Sequence, residues 1–545
     1  MKRLLFFFMF FIPILVNAQG GKLPVITAPK FKKDTLSIAK FGAVADGNTL
    51  NTKSINAAID ALAKKGGGIV LVPSGLWLTG PVVLKSNINL HLTTGATLLF
   101  TKDFSQYPLV KANWEGLPQM RNQSPISATD ASNIAITGKG IIDGNGDAWR
   151  MVKKDKLNET QWKKLVASGG MLSEDKKTWY PSEKTLKGSQ LQNPGVISPE
   201  KDAAFYESIR DFLRPNMVLL TGCKNILLEG VIFQNSPAWC LHPLMCENLT
   251  VRNVSVKNPW YAQNGDGIDA ESCKNVLIEN CIFDVGDDAL CMKSGRDAEG
   301  RKRGMPIENV IIRGCTVYAA HGGFVIGSEM SGGARNIYVS NCTFIGTDIG
   351  LRFKTTRGRG GVVENIFIKD IYMKDIAGEA ILFDMYYMAK DPIPLSGEKR
   401  ELPKVEFRAV DETTPVFKNF HISNVYCNGA AKAIFVRGLP EMHVKDIVLE
   451  NMVLQADKGF DVQEATGITF KNIKVISKET NPVIDVTQSD KLDFENIKGK
   501  DGAVLRFRIN GERSNAITIN NKQEVKANTI ITYELGATIK SVTIR

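Results

Sequence analysis

A phrase of the form Asn–apolar–x–apolar–x–x–apolar recurs from the middle of the chain onward. It runs Asn225-Ile-Leu-Leu-Glu-Gly-Val231, then Asn248-Leu-Thr-Val-Arg-Asn-Val254 and Asn275-Val-Leu-Ile-Glu-Asn-Cys281. Further copies begin at Asn309, Asn336, Asn365 and Asn419, and an early one at Asn133. Neighbours in the central run are 23, 27, 34, 27 and 29 residues apart, and the next gap is 54, about two periods. Similarity at such a period predicts stacked units. Within each unit apolar and polar residues alternate by twos, so the units hold short strands. The Asn, Gly and Asp of the turns tolerate left-handed backbone.

One chain of short strands coiling at this period gives an all-β fold, a right-handed parallel β-helix, that is, a single-stranded solenoid. The repeated asparagines either form a hydrogen-bonded ladder or suit a bend. Asn51 to Lys65 departs from the pattern, with apolar residues at Ile55, Ala58, Ile59 and Leu62, and predicts a helix. A solenoid end exposes strand edges, so this helix is read as the N-terminal cap. Short strands are expected at Ile69–Val72, Val82–Leu84 and Ile88–Leu92. Two long polar excursions, about 151–216 and 389–415, break the repeat, with helices expected near Glu159–Ala167 and Lys201–Phe212. Long inserts on a regular scaffold often wall a binding site. The stretch from Val504 to Arg545 alternates like strands and is expected to close the stack.

The N-terminus changes the picture of where the protein works. Lys2 and Arg3 precede an apolar run of 13 residues, Leu4 to Val16, followed by Val16-Asn17-Ala18. This reads as a signal peptide over residues 1–18, and the run is too short to span a bilayer comfortably. An extension, 19–34, and one β-helix domain, 35–545, would follow. Export to the periplasm or medium is expected, without a membrane anchor, as a monomer. The chain carries nine cysteines, which in an exported protein would suggest disulfides. Cys281, Cys315 and Cys342 fall in one repeat slot that holds Val231, Val254, Ile371 and Val425 elsewhere, so these three are expected as free thiols in the interior. The net charge of +11 favours acidic partners but does not choose among nucleic acid, lipid and polysaccharide.

Candidate chemistry centres on Gly286-Asp287-Asp288 and Asn264-Gly265-Asp266. Adjacent carboxylates repel, so such a cluster suits chemistry in which one holds a proton and another does not. That is the equipment for glycosidic-bond cleavage. Asp266 and Asp288 are 22 residues apart, close to one coil; His321 follows after 33 and Arg352 after another 31. Lys354 lies two beyond Arg352, so both point outward while Phe353 points inward. Asp287 and Asp288 share a face only if the backbone bends, which Gly286 permits.

In order, Asn264-Gly265-Asp266, Gly286-Asp287-Asp288, Ala320-His321-Gly322 and Arg352-Phe353-Lys354 resemble the four signature blocks of glycoside hydrolase family 28, the polygalacturonases and their relatives. Flanking matches occur at Gly138–Gly146, Asn235–Trp239, Lys293-Ser-Gly295 and Phe41–Gly47. Gly265, Ala320 and Phe353 depart from the family pattern without removing a reacting group. The resemblance implies a pectin lyase-like β-helix that hydrolyses α-1,4-galacturonosidic linkages with inversion. It implies that Asp287 is the general acid, that Asp266 and Asp288 hold and activate water, and that His321 supports the acid. It further implies that Arg352 and Lys354 bind the substrate carboxylate, that Asn264 shapes the site, and that Tyr386 or Tyr387 touches substrate. The expected partner is an acidic polysaccharide (pectin, galacturonan or its oligomers), not nucleic acid. The inserts suggest a groove closed at one end and action on chain ends, with internal cleavage as the alternative.

Alternatives are a rhamnogalacturonan or modified-galacturonan hydrolase, a calcium-dependent lyase, and a non-catalytic binding β-helix. No metal-site spacing and no nucleotide-binding glycine motif occur, so no metal or cofactor is expected. Trp239 is read either as a sugar platform or as core, and His242 as structural.

Overall fold

The computed structural model describes residues 24–389, 406–521 and 528–545. Their backbone winds as a right-handed parallel β-helix, each strand pairing in parallel with a strand one coil later. Ile226 sits beside Leu249, Leu249 beside Val276, Val276 beside Val310, and Val310 beside Ile337. All five are buried, so the apolar slots of the repeat stack into continuous inward columns. Because each coil rests on the next, the core grows along one axis.

The asparagines form a ladder and also occupy a bend. The Nδ2 of Asn248 donates to Oδ1 of Asn225 at 3.1 Å, and the same bond links Asn275, Asn309, Asn336, Asn365 and Asn419 each to the one before. From Asn225 to Asn419 every ladder residue has φ between 55° and 59°. Asparagine tolerates this left-handed conformation better than most residues.

All nine cysteines are free and buried. Cys281, Cys315 and Cys342 stack thiol to thiol in one column, which continues as Ile371 and Val425.

The cap helix spans Thr52–Lys64 and buries the four expected residues, Ile55, Ala58, Ile59 and Leu62. Asn51 ends it without capping it. Its side chain instead accepts from the Val44 amide at 2.7 Å and donates to the Val44, Thr49 and Leu78 carbonyls. The early strands run Gly68–Val72, Val82–Val83 and Ile88–Leu92.

In the first insert, the helix Glu159–Ala167 forms as expected, closed by an Asn158–Gln161 capping box. The single helix expected over Lys201–Phe212 is instead two pieces, Ala203–Ser208 and the 3₁₀ turn Arg210–Phe212. The insert also holds a helix at Glu183–Ser189 and a small antiparallel sheet, which short irregular segments did not announce. The hairpin Leu109–Trp114 and Leu117–Asn122 is likewise absent from the sequence reading. Of the second insert, 390–405 lies outside the described residues, as does the signal segment. The strands after Leu505 close the far end.

Candidate active site

Four strands on successive coils carry the site: Ile268–Glu271, Leu290–Lys293, Gly322–Ile326 and Ile349–Lys354. Ile268, Leu290, Phe324 and Leu351 align inward in register. Arg352 and Lys354 therefore face out, while Phe353 packs in the core against Phe324 and Phe383. Asp266 and Asp288 each precede their strand by two residues, and the Gly267 amide donates to the Asp288 carbonyl at 2.9 Å. The two acids thus occupy equivalent places one coil apart.

Asp287 reaches the same face because residues 285–289 turn before the strand begins. Gly286 matters there for space: a Cβ would sit 2.5 Å from the Pro259 carbonyl oxygen. Oxygens of Asp266, Asp287 and Asp288 all lie within 4.8 Å of one another, a span one water can bridge.

The three acids differ in surroundings. Asp288 is buried and accepts from Lys354 Nζ at 2.7 Å and Arg352 Nη1 at 3.1 Å. Burial opposes its ionisation, but Lys354, Arg352 and Lys293 outweigh it and hold the carboxyl below the usual carboxylate range. Asp266 is buried too, and its Oδ1 has no hydrogen-bond partner among the described residues. Burial first, then Asp269, Asp287 and Asp288, push its carboxyl well up, against a smaller pull from Lys293. Asp287 is more open and lies 3.2 Å from His321 Nδ1. Its own Oδ1 accepts from the Asp288 amide at 2.9 Å. The hydrogen bond to Asp287 raises the His321 pKa, and the charges of Asp287, Asp288 and Asp348 add to it against the opposing effect of burial.

Asn264 has φ 54° and accepts from Arg214 Nη2 at 2.8 Å, so it fixes the turn that presents Asp266. The two tyrosines part company. Tyr387 lines the cavity, its ring centroid 4.7 Å from Lys354 Nζ and 5.5 Å from the Arg352 guanidinium. Tyr386 turns into the core with 1% exposure, so it does not face a ligand. Trp239 takes the core position that was one of its two readings, and it also borders the cavity. It is almost wholly buried, stacked on Trp114 with centroids 5.5 Å apart, yet an edge lines the cavity. His242 is fully buried between Asn216 and Glu271, a structural role.

Sequence reasoning missed a second set of groups. Lys293 Nζ donates to Glu329 at 2.8 Å, lies 3.5 Å from buried Asp269 and sits over Trp239. Lys293 stood in a matched block, but nothing in the spacing marked its partners. Arg214, from the end of the first insert, and Asp348, beside His321, gave no signal at all.

The acids open on a cavity of about 1120 Å³. The unexpected hairpin contributes Glu115 to the cavity lining. Glu115 at its tip lies 3.4 Å from Arg296 Nη1, and Gly116 (φ 75°) packs so closely that a Cβ would sit 2.5 Å from the Arg296 amide nitrogen. The lining also holds Arg357, bidentate on Glu441, and the returning second insert, tied down where Gly358 and Gly360 donate to the Thr413 carbonyl. Among the described residues, no helix is long and apolar enough to cross a membrane.

The model of a family described as glycosyl hydrolases family 28 matches residues 208–423. A probable polygalacturonase of Vitis vinifera is 31% identical over 348 residues, covering 62% of this chain and 60% of that protein. An exo-poly-alpha-D-galacturonosidase of Dickeya chrysanthemi is 29% identical over 360 residues, covering 65% and 57%. The chain thus spans about three fifths of the length of these curated relatives. Among solved structures, a hyperthermoactive exopolygalacturonase from Thermotoga maritima superposes with a TM-score of 0.65 at 32% identity, covering 83% of this chain and 92% of that one. A family 28 exopolygalacturonase of Yersinia enterocolitica, at 23% identity and a TM-score of 0.64, shares the fold.

Proposed function

This chain belongs to family 28 of the glycosyl hydrolases, and on that premise we propose that it hydrolyses α-1,4-galacturonosidic linkages of polygalacturonate, acting from chain ends with inversion. The observation that carries the substrate is the pair Arg352 and Lys354 directly beside the acid trio. A planar fork and a compact ammonium suit a uronate carboxylate; a neutral sugar needs neither.

In this reading Asp287 protonates the glycosidic oxygen, with His321 at its side. Water sits among the three carboxylates, and Asp288, held ionised, draws its proton while Asp266 orients it. Arg352 and Lys354 take the carboxylate of the leaving-side sugar, and Tyr387 packs beneath it. In this reading the hairpin clasp of Glu115 and Gly116 on Arg296, two of whose residues line the cavity, closes the groove to a chain running past the acids and so favours release from the end. The similarity to the exo-acting Dickeya and Thermotoga proteins points the same way.

One observation favours a second stereochemistry. Inverting pairs usually stand about 6.5–9.5 Å apart and retaining pairs about 5–5.5 Å, and these acids approach within 4.8 Å. Against retention, both oxygens of Asp288 already accept hydrogen bonds. Proton NMR of the first-formed reducing sugar separates the two: the β-anomer supports inversion, the α-anomer retention.

The function is tested by reducing-sugar release from polygalacturonate by the parent and Asp287→Asn. General acid catalysis contributes roughly 10²–10⁴ in rate, and a loss of that size with near-normal substrate binding is expected. Equal turnover in both overturns the assignment.

A further inference from the structure

His321 stands between two carboxylates on either side of it along the solenoid. Asp287 faces Nδ1 at 3.2 Å; Asp348, on the next coil, faces Nε2 at 3.7 Å. Asp348 is set there by rigid backbone. Its amide donates to the Ala320 carbonyl at 2.7 Å, and its carbonyl accepts from the Gly378 amide at 2.7 Å. It immediately precedes the strand that carries Arg352 and Lys354.

We propose, resting on the hydrolase reading above, that Asp348 is a positioning residue: its carboxylate holds the imidazole of His321 in the orientation that presents Nδ1 to the acid Asp287. An imidazole swings about its Cα–Cβ bond and flips about its Cβ–Cγ bond. A partner at Nε2 removes both, and an anionic partner also favours the form in which both nitrogens carry protons. That form presents a proton from Nδ1 to Asp287 while Nε2 faces the Asp348 carboxylate at ion-pair distance. A neutral ring has one proton to give and can serve only one side.

The groups facing the ring come from every neighbouring element. Asp287 and Asp288 belong to the turn before Leu290–Lys293, Asp348 to the residue before Ile349–Lys354, and Arg352 Nη1 reaches the His321 carbonyl at 3.4 Å. Arg352 is the one cation among them, and Asp288 already accepts from it. The direction is therefore set by carboxylates: removing one lowers the affinity of His321 for its proton.

As a stabilising contact the pair counts for little. Both side chains are substantially exposed, 40% for His321 and 58% for Asp348. Exposed pairs contribute under about 1 kcal/mol. A role in stability alone therefore predicts no functional change in Asp348→Asn.

The test uses the full chain with isotopically labelled histidine. Only five histidines occur, and His321 is identified by the signal lost in His321→Asn. In Asp348→Asn the His321 titration should move to lower pH by roughly half to one unit, a three- to tenfold change in proton affinity. The alkaline limb of kcat/KM on polygalacturonate should move down by the same amount, with KM at acid pH and the melting temperature unchanged. Asp348→Glu should restore most of both shifts. An unmoved His321 titration overturns the inference whatever the activity, as does a moved titration beside an unmoved alkaline limb in an active enzyme. A parent enzyme inactive on galacturonan, with the titration still moving, sinks the hydrolase reading and leaves the hold of Asp348 on His321 standing.

Discussion

Lys354 Nζ donates to Asp288 Oδ2 at 2.7 Å, and both groups are buried. A cation expected to meet the substrate therefore already serves one carboxylate of the acid trio. A uronate entering beside Lys354 and Arg352 competes for those donors and leaves Asp288 a stronger base when the sugar arrives. Lys354→Met should show both roles. Burial works against the charge on Asp288, and Lys354 is the foremost group overcoming it, so its removal raises the Asp288 pKa. A carboxylate with a depressed folded pKa stabilises above its unfolded pKa and loses that contribution as pH falls. The variant should lose activity at higher pH on its acid side, raise KM, and lose about 3 kcal/mol of stability from the broken buried pair. Kinetic pH profiles and urea unfolding read all three.

The adjacent tyrosines offer a sharper contrast. The Tyr386 hydroxyl is buried with no hydrogen-bond partner among the described residues, so Tyr386→Phe should leave activity unchanged and stability within about 0.5 kcal/mol. Tyr387→Ala removes the ring beside Lys354 and Arg352. Cation–π contacts are worth about 0.5–2 kcal/mol, so KM should rise about twofold to about thirtyfold.

Gly116→Val tests the proposed closure of the groove. The new side chain collides with the Arg296 backbone at a left-handed φ, lifting the hairpin tip. If the clasp enforces the proposed action from chain ends, chromatography of early products should show monomer from the parent and oligomers from the variant. An unchanged product ladder would remove the clasp as the cause.

Asn275→Ala removes a donor to Asn248 and an acceptor for Asn309 and forces alanine to φ 59°. Two hydrogen bonds at about 1 kcal/mol each and a left-handed cost of about 1 kcal/mol predict a loss near 3 kcal/mol. Asn275→Gly, free of the conformational cost, should lose less. Denaturant midpoints decide.

The solenoid was legible because one physical rule, alternate residues inward at a fixed period, repeats down the chain. The same rule placed Arg352 and Lys354 outside and Phe353 inside. The site was legible where spacing approximates a coil: Asp266, Asp288, His321 and Arg352 meet on one face. Asp287 needed the turn beside Gly286, which sequence could allow but not require. The hairpin at Leu109–Asn122 and the partners of Lys293 were invisible. Neither has a period, and their contacts join segments far apart in sequence, as Gly116 to Arg296 shows. Which tyrosine faces out depended on a local change of direction after Asp384, where the strand ends.

The ladder of asparagines has an evolutionary reading. Every rung between Asn225 and Asn419 is interchangeable in its bonding, so duplicating or deleting a whole rung beyond Tyr387 would lengthen or shorten the rod while leaving the reacting groups in place. Between Asn264 and Tyr387 the same event would separate acid from cation. The rod can therefore change length at its far end without disturbing the site, but not over the stretch in between.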